Sequence, residues 1–435
     1  DNTLTLEEYV NRPDPTYTYY ELNRTVDQYH ATYYLNMTSQ KWMDDEFSDS
    51  SIWWHDVIVS VPNTIIVSDV ALLFIGGGSN TRDSISSPEH DTVSAALRRL
   101  SVRMGVVVGF IKQIPNQPIV FKADPTKKNR TEGDLCGYLW RIFIENEDAS
   151  PEILPRYPMT KAVVRAMDTL TNFTRQVAPT TNISKFILAG ASKIMEREQR
   201  SLGGWTYAMS DYYYQNITLH LDHPRLAKIM DLVDPYNFLD KYDLPTMVVD
   251  GTGDQFFLLD NSYVFFSQLP GHKYMLMLPN FDHFLNPIST VMSALASFTV
   301  GVVSDYHFPR VSWQLTETET GGRIVFNSSD VEPTSVNSWY AVTDTALRRD
   351  FRSHYGKKAH KSHVVWFENA ITNKSDGIYT AEYRKPHKGW LGFLVMAKYE
   401  GPLGHPLTLT SEVHIIPNTF PYPPCHGEGC YETLV

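Results

Sequence analysis

Residues 186–193 have the sequence Phe-Ile-Leu-Ala-Gly-Ala-Ser-Lys, a short apolar run that stops at a Gly-x-Ser motif. The apolar run predicts a short buried strand of a parallel sheet. Glycine and alanine beside Ser192 suit the sharp, strained turn that leads a strand into a helix and exposes a serine hydroxyl. Because Gly-x-Ser also occurs by chance, its meaning depends on the rest of the chain.

Two later segments repeat the pattern of an apolar strand followed by a polar turn. The first ends in Asp254 and the second in His283. Ser, Asp and His then stand in the chain order of α/β-hydrolases, in which histidine takes the serine proton and a buried carboxylate orients the histidine. We therefore expect an α/β-hydrolase-like doubly wound sheet, with Ser192, Asp254 and His283 meeting at the carboxyl edge of one parallel sheet. Asp250 is the competing acid.

Each of these residues also has a purely structural interpretation. Ser192 could be a small residue at a tight turn, and Asp254 could cap a following helix. His283 could be a surface histidine beside Asp282. Three ordered matches, each after a predicted strand, favour the catalytic interpretation.

A glycine run supplies candidates for the oxyanion hole, since the charge on an attacked carbonyl needs backbone N–H donors. Residues 70–75 form an apolar strand candidate, and Gly-Gly-Gly-Ser-Asn follows directly at 76–80. Gly77 and Gly78 let backbone amides approach a ligand closely. Lys193 is the third candidate because its amide follows the serine. The alternative is that the glycines form only a flexible turn.

Composition limits the classes of partner. The chain has 435 residues, a formal net charge of −11 and 42% hydrophobic residues, so packed cores are expected and nucleic acid or anionic membranes are not. No apolar run is long enough to span a bilayer. The sequence begins at Asp1 without a signal-like segment, as a processed chain would. The expected partner is a small-molecule or peptide substrate, or a cell-surface receptor.

Glycosylation sequons indicate the compartment, because Asn-x-Ser/Thr occurs more often than chance predicts. They lie at Asn23, Asn36, Asn129, Asn172, Asn182, Asn216, Asn327 and Asn373. We expect a secreted glycoprotein in which Cys425 and Cys430 close a disulfide loop. A metal site at Cys425, His426 and Cys430 is the weaker alternative, and Cys136 is expected to be a buried thiol. No cofactor and no metal are predicted.

The chain changes character near residue 311. Residues 1–305 carry the α/β pattern, with a predicted cap around 195–235 in which Trp205, Tyr207 and Tyr213 either shape a substrate pocket or pack the cap onto helices. From 311 to 435, short alternating segments divided by turn residues predict an Ig-like β-sandwich domain.

Several motifs occur in combination. They are the glycine run at 76–80, Ile-Pro-Asn-Gln-Pro at 114–118, the helix-like stretch 154–168, Gly-Ala-Ser-Lys at 190–193, Gly-Gly-Trp at 203–205 and Asp-Gly-Thr-Gly-Asp-Gln-Phe at 250–256. Together they resemble the PhoPQ-activated pathogenicity-related family over nearly the whole chain. The resemblance implies a hydrolase domain followed by a β-sandwich and, for its eukaryotic branch, an extracellular signalling role.

The chain departs from this family after Lys193. Family members continue through a long helix and another core strand before Gly-Gly-Trp, whereas here a polar run at 196–200 follows, and no apolar strand candidate occurs before Pro235. That polar run could not fill the buried position of the nucleophile helix. We therefore predict an interruption between Lys193 and Ile194. Either an exon is skipped or a stretch of the natural chain is absent here. We favour the second, because loss of a central strand from a doubly wound sheet would expose a large apolar core.

Two functions from different classes remain open. The intact Ser-Asp-His set favours a serine hydrolase acting on an ester or peptide-like bond. The resemblance to the eukaryotic branch favours a non-enzymatic extracellular ligand that acts through a receptor, since a fold alone does not decide function.

Overall fold

A computed structural model describes residues 4–81, 92–190 and 196–435. These residues form two compact units, one made of residues 4–190 and Tyr214–Asn237 and the other of residues 196–213 and Phe238–Val435. The expected division near residues 305–311 is therefore not where the units separate. No helix in the described ranges has the length and apolarity that a membrane span requires.

The first unit is built on a mixed six-stranded sheet with the order β1-β2-β3-β5-β4-β6. Strands β1 to β3 and β5 pair antiparallel, and only β5, β4 and β6 pair in parallel. In this sheet, parallel pairing is thus limited to three strands. The strands are β1 (Thr18–Val26), β2 (His30–Lys41), β3 (Ile52–Pro62), β4 (Val70–Ile75), β5 (Val107–Ile111) and β6 (Lys185–Ala189).

The helices of this unit are α1 (Leu6–Asn11), α2 (Thr92–Met104), α3 (Glu132–Glu145), α4 (Arg156–Val177) and, later in the chain, α7 (Pro224–Val233). Helices α2 and α4 pack on the sheet, whereas α1 packs on α4 and α3 packs on α7. Ala162, Ala166 and Leu170 of α4 lie in the same core as Leu73 of β4. A Cβ at Gly109 of β5 would stand 2.3 Å from the Leu170 Cδ2 atom, so glycine permits this close approach.

Strand β6 is an edge strand of the described sheet, where it pairs with β4. Leu188 keeps 50% exposure, and the other residues of β6 are at most half-buried. The sequence predicted a strand buried on both faces, as in the interior of a parallel sheet. The prediction was wrong on burial because no described segment covers these side chains.

The second unit contains a separate parallel pair, β7 (Thr246–Gly251) and β8 (Lys273–Leu278). The expectation of one parallel sheet beneath all three triad residues is therefore not met, because in the described part of the chain β7 and β8 form a two-stranded sheet of their own. The helices of the second unit are α5 (Glu196–Leu202), α6 (Ser210–Tyr214), α8 (Ser262–Phe265) and α9 (Ile288–Val303).

Two antiparallel sheets fill the rest of the second unit. One has the order β15-β16-β10-β9, and the other has the order β14-β11-β17-β18 with β19 also on β17. The first contains β9 (Ser312–Glu317), β10 (Gly321–Asn327), β15 (Lys374–Ser375) and β16 (Ile378–Arg384). The second contains β11 (Ser335–Val342), β14 (Phe367–Ala370), β17 (Leu391–Tyr399), β18 (Leu407–Thr410) and β19 (His414–Ile416). A two-residue ladder joins β12 (His354–Tyr355) and β13 (His360–Lys361).

One apolar core explains why the second unit includes β7, β8 and α9. Phe326 of β10 and Phe393 of β17 share this core with Tyr274 of β8 and Phe298 of α9. The C-terminal region is therefore rich in sheet, as expected, but it packs around elements that precede residue 311. Its assignment as an Ig-like sandwich stays a prediction.

Candidate active site

The loops that follow β7 and β8 leave the parallel pair at the same edge, because Gly251 stands beside Leu278 in register. Gly253 N–H donates to the carbonyl of Phe281 at 2.8 Å, and Thr252 N–H donates to that of Leu278 at 2.9 Å. A Cβ at Gly251 would lie 2.5 Å from the Phe281 carbonyl oxygen. Glycine at this position lets the two loops meet.

Asp254 and His283 form a hydrogen-bonded pair at the meeting of these loops. His283 Nδ1 lies 2.8 Å from Asp254 Oδ2. The other oxygen, Oδ1, accepts the backbone N–H groups of Phe256 at 2.6 Å and Phe257 at 2.9 Å. Asp254 is 5% exposed, so these three donors stabilise a buried carboxylate. Asp254 therefore caps a turn and also orients the histidine, and it is the acid that meets His283, not Asp250.

The histidine is held from several sides and remains reachable. Its side chain is 21% exposed, and its ring centroid lies 4.2 Å from that of Phe256. Gln255 Oε1 accepts the His283 backbone N–H at 3.2 Å. Since Nδ1 faces Asp254, Nε2 is the nitrogen that can exchange a proton, and no described residue hydrogen-bonds to it.

Charged groups surround the pair. Burial raises the pKa of the Tyr207 hydroxyl, Arg352 lowers it, and the carboxylates of Asp282 and Asp254 raise it further. Of the three predicted pocket aromatics, Tyr207 is thus close enough to Asp254 to feel its charge. Burial and the charge of Asp254 also raise the pKa of the Asp250 carboxyl well above its usual value.

Two buried arginines, Arg349 and Arg352, line the same cavity as Asp254, and sequence reasoning missed both. Asp260 is fully buried, and its Oδ2 accepts Arg349 Nη1 at 2.8 Å and Arg197 Nη1 at 2.7 Å. Arg352 pairs with Asp350 at 2.7 Å. Arginine in a run such as Leu-Arg-Arg-Asp at 347–350 gives no sequence signal that distinguishes a buried ion pair from a solvated one.

The C-terminal tail, residues 430–435, packs beneath the same site. Trp205 is fully buried, and its indole N–H donates to the Cys430 carbonyl at 2.8 Å. The Tyr213 hydroxyl donates to the Glu432 carbonyl at 3.0 Å, and Arg352 Nη1 donates to the Val435 carbonyl at 3.0 Å. Trp205 and Tyr213 thus anchor the tail, and their part in a substrate pocket stays a prediction.

The remaining predicted residues divide into two groups. Ser192 and Lys193 lie outside the described residues. Gly77 and Gly78 lie in the first unit, directly after β4, and both are exposed. Gly78 has φ +126°, which favours glycine, and the Gly77 carbonyl accepts the Gln113 N–H at 3.0 Å. Their part in an oxyanion hole stays a prediction.

The structure contains the Cys425–Cys430 disulfide, which removes both sulfurs from the alternative metal site. Cys136, on α3, is outside the disulfide, and it is half-buried where a buried thiol was expected. Six of the eight sequon asparagines are exposed, and Asn36 and Asn327 are half-buried. The exposed ones are Asn23, Asn129, Asn172, Asn182, Asn216 and Asn373.

The predicted interruption at Lys193–Ile194 also lies outside the described residues. The polar run after it, however, is part of α5, where Glu198 is 1% exposed and Gln199 is 4% exposed. The prediction that this run could not fill the buried position of the nucleophile helix stays a prediction, but the run does contain buried polar residues. Its polar groups find partners, since Gln199 Nε2 donates to Glu432 at 2.9 Å and Arg197 pairs with Asp260.

Comparisons with known proteins relate nearly the whole chain to one family. The chain is 32% identical to autocrine proliferation repressor protein A of Dictyostelium discoideum over 467 residues, which cover 97% of this chain and 92% of the relative. Weaker structural similarity relates it to an acetyl xylan esterase from Paenibacillus sp. R4, with 11% identity, a TM-score of 0.44 and coverage of 69% and 92%. An acetyl xylan esterase from Thermoanaerobacterium sp. has 13% identity, a TM-score of 0.39 and coverage of 68% and 95%.

A family model supports the assignment and matches the chain in two segments. The model for PhoPQ-activated pathogenicity-related protein matches residues 6–194 and, separately, residues 193–352. The two matches meet at the join between Lys193 and Ile194. The alignment to the Dictyostelium relative is also at least 32 positions longer than the chain (467 against 435), so the relative has residues with no counterpart here. The chain belongs to the PhoPQ-activated pathogenicity-related family.

Proposed function

We propose that this protein is a secreted glycoprotein with serine hydrolase activity on an ester or peptide-like bond. The observation that carries the proposal is the 2.8 Å contact between His283 Nδ1 and the buried Asp254 carboxylate. This arrangement leaves Nε2 as the base. Ser192, in its Gly-x-Ser motif, is the nucleophile that chain order assigns to it.

The proposed chemistry follows from these groups. His283 takes the proton of the Ser192 hydroxyl through Nε2 as Oγ attacks the carbonyl carbon, and Asp254 stabilises the imidazolium that forms. Gly77, Gly78 and the Lys193 amide are the proposed donors to the oxyanion. Tyr207 and the rings of Phe256 and Phe257 would contact the substrate.

Fluorophosphonate labelling of the full-length glycosylated chain tests this function. These probes phosphonylate a serine that a neighbouring base activates, and peptide mapping locates the adduct. We expect labelling at Ser192, loss of labelling in Ser192→Ala and His283→Gln, and retention in Ser79→Ala, a serine of the glycine run. A folded chain that takes up no probe at Ser192 would contradict the proposal.

A second candidate is a non-enzymatic extracellular ligand acting through a cell-surface receptor. It is favoured by one observation, the 32% identity to a relative named as an autocrine proliferation repressor. Purified wild-type chain and Ser192→Ala can be compared in a cell-proliferation assay. Equal repression by both, together with no labelling of the wild type, supports the ligand, whereas repression that disappears with Ser192 supports the hydrolase.

A further inference from the structure

The hairpin of β12 and β13 concentrates positive charge in a chain that is acidic overall. The sequence of residues 353–367 is Ser-His-Tyr-Gly-Lys-Lys-Ala-His-Lys-Ser-His-Val-Val-Trp-Phe, which contains no aspartate or glutamate. The whole chain has 49 acidic residues against 38 lysines and arginines, so the charge of this segment is opposite to that of the chain. Lys357, Lys358 and Lys361 are all exposed. We call residues 354–361 the basic hairpin.

The backbone keeps the three lysines close together. His354 stands opposite Lys361 in the antiparallel ladder. The Ala359 N–H donates to the Gly356 carbonyl at 2.9 Å and closes the turn between the two strands. Because Lys357 precedes Lys361 by only four residues, their Cα atoms lie within about 14 Å of each other. One extended ligand can therefore contact all three ammonium groups.

The carboxylates next to the basic hairpin have other partners. Asp344 accepts the His363 backbone N–H with Oδ2 at 2.8 Å and the Ser362 hydroxyl at 3.4 Å. Asp350, which precedes the hairpin in sequence, pairs with Arg352 at 2.7 Å. Within the described ranges, none of the three lysines forms an ion pair. Since like charges repel, an anionic ligand that contacts all three would be attracted to them.

An aromatic pair lies on the same hairpin. Tyr355 stands opposite His360 in register, and their ring centroids are 6.1 Å apart. Tyr355 is 38% exposed, and His360 is exposed as well. An aromatic ring offers a large, rigid apolar surface, and the C–H face of a sugar ring can pack on it. Lysines beside an exposed ring therefore favour an anionic polysaccharide over an acidic peptide or a lipid headgroup.

The base of the basic hairpin is attached to the loop that carries Asp254. The Ser353 N–H donates to the Gly253 carbonyl at 2.9 Å, and Gln255 Nε2 lies 3.2 Å from His354 Nδ1. A Cβ at Gly253 would stand 2.9 Å from the Ser353 Cβ, so glycine permits this close approach. These contacts restrict the base of the hairpin and lower the entropy cost of ordering it around a ligand.

We propose that the basic hairpin is a binding site for an anionic polysaccharide. Its three lysines contact carboxylate or sulfate groups of the polymer, and Tyr355 packs against a sugar ring. The bound polymer lies beside the loop that carries Asp254. This inference goes beyond the proposed function, because binding requires no catalysis.

Binding of the full-length chain to two immobilised polymers, measured at several salt concentrations, tests the proposal. Heparin carries sulfate groups, whereas polygalacturonate carries only carboxylates, so the two polymers distinguish the sources of the charge. The variant with Lys357→Gln, Lys358→Gln and Lys361→Gln should bind the preferred polymer about tenfold more weakly at low salt. The slope of log K against log salt concentration should become shallower by about three, one for each lysine.

A matched control removes the same charge from exposed positions outside the hairpin. It combines Lys228→Gln, Lys374→Gln and Lys398→Gln, and we expect it to bind like the wild type. An equal loss in both triple variants would show that only net charge matters and would overturn the assignment. A folded wild type that binds neither polymer would overturn it as well. Thermal unfolding of each variant checks that the chain is folded.

Tyr355→Leu tests whether the ligand is a polysaccharide, because it keeps an apolar side chain and removes the ring. It should weaken binding to the preferred polysaccharide and leave binding to polyglutamate unchanged. Tighter wild-type binding to polyglutamate or to phosphatidylserine vesicles than to either polysaccharide would overturn this ligand class. Binding without probe uptake at Ser192 supports this inference and contradicts the hydrolase function, whereas probe uptake without binding does the reverse.

Discussion

Asp254→Asn is the sharpest test of the candidate site because the substitution changes one atom. The amide oxygen can replace Oδ1, which accepts the N–H groups of Phe256 and Phe257, so the turn should survive. The amide nitrogen then replaces Oδ2, which lies 2.8 Å from His283 Nδ1. Since that nitrogen donates, Nδ1 must accept, and the imidazole proton moves to Nε2.

An imidazole protonated at Nε2 cannot accept the serine proton. The loss expected for the wrong tautomer is about 10⁴ in rate, or about 5.4 kcal/mol of transition-state stabilisation. Loss of one charge-assisted hydrogen bond should lower the free energy of unfolding by only about 1–3 kcal/mol. The effect on rate and the effect on stability are therefore well separated.

The assay is the second-order rate of fluorophosphonate labelling at Ser192, followed by intact mass, with thermal unfolding measured on the same samples. Asp282→Asn is the matched control, because Asp282 neighbours His283 in sequence and its Oδ1 accepts the Phe284 N–H at 3.0 Å. We expect the control to label like the wild type. A folded Asp254→Asn chain that labels within tenfold of the wild type would refute the role assigned to Asp254.

Three further outcomes are expected. Asp260→Leu should lower the free energy of unfolding by about 3–5 kcal/mol in urea titrations, because it leaves the buried Arg349 without its carboxylate. The control Asp243→Leu, at an exposed position, should change the free energy of unfolding little. Digestion with an N-glycosidase should reduce the mass of the protein secreted from eukaryotic cells, and an unchanged mass would contradict glycosylation. Transcript sequencing across residues 190–205 should find additional codons at the Lys193–Ile194 join, and an uninterrupted reading frame there would contradict the predicted absence.

The pair of Asp254 and His283 could be predicted because each follows a strand whose apolar residues are contiguous in sequence. A polar residue directly after such a strand lies at the carboxyl edge whatever the rest of the fold does. Strand β11 was not predicted, since its first half, Ser-Val-Asn-Ser, lacks an apolar alternation. Its position is set by pairing with β17, a contact that local sequence does not encode.

The burial of α5 could not be predicted from local sequence for a similar reason. Glu198 and Gln199 look like surface residues, and only the tertiary arrangement supplies the partners that make their burial tolerable. The boundaries of the second unit could not be predicted from the sequence either. Tyr274 and Phe298 belong to the α/β pattern by sequence, yet their side chains pack with Phe326 and Phe393.

The tail at residues 430–435 gives the site a dependence on redox conditions. Its first residue, Cys430, is bonded to Cys425 and accepts the Trp205 indole N–H. The carbonyls of Glu432 and Val435 accept hydrogen bonds from Tyr213 and Arg352. The short disulfide-closed loop thus restricts the conformations of the tail before it packs, and the packed tail hydrogen-bonds to Arg352. Reduction would lengthen the free segment and raise the entropy cost of docking, so a chain made under reducing conditions should mature more slowly around Arg352 than one made under oxidising conditions.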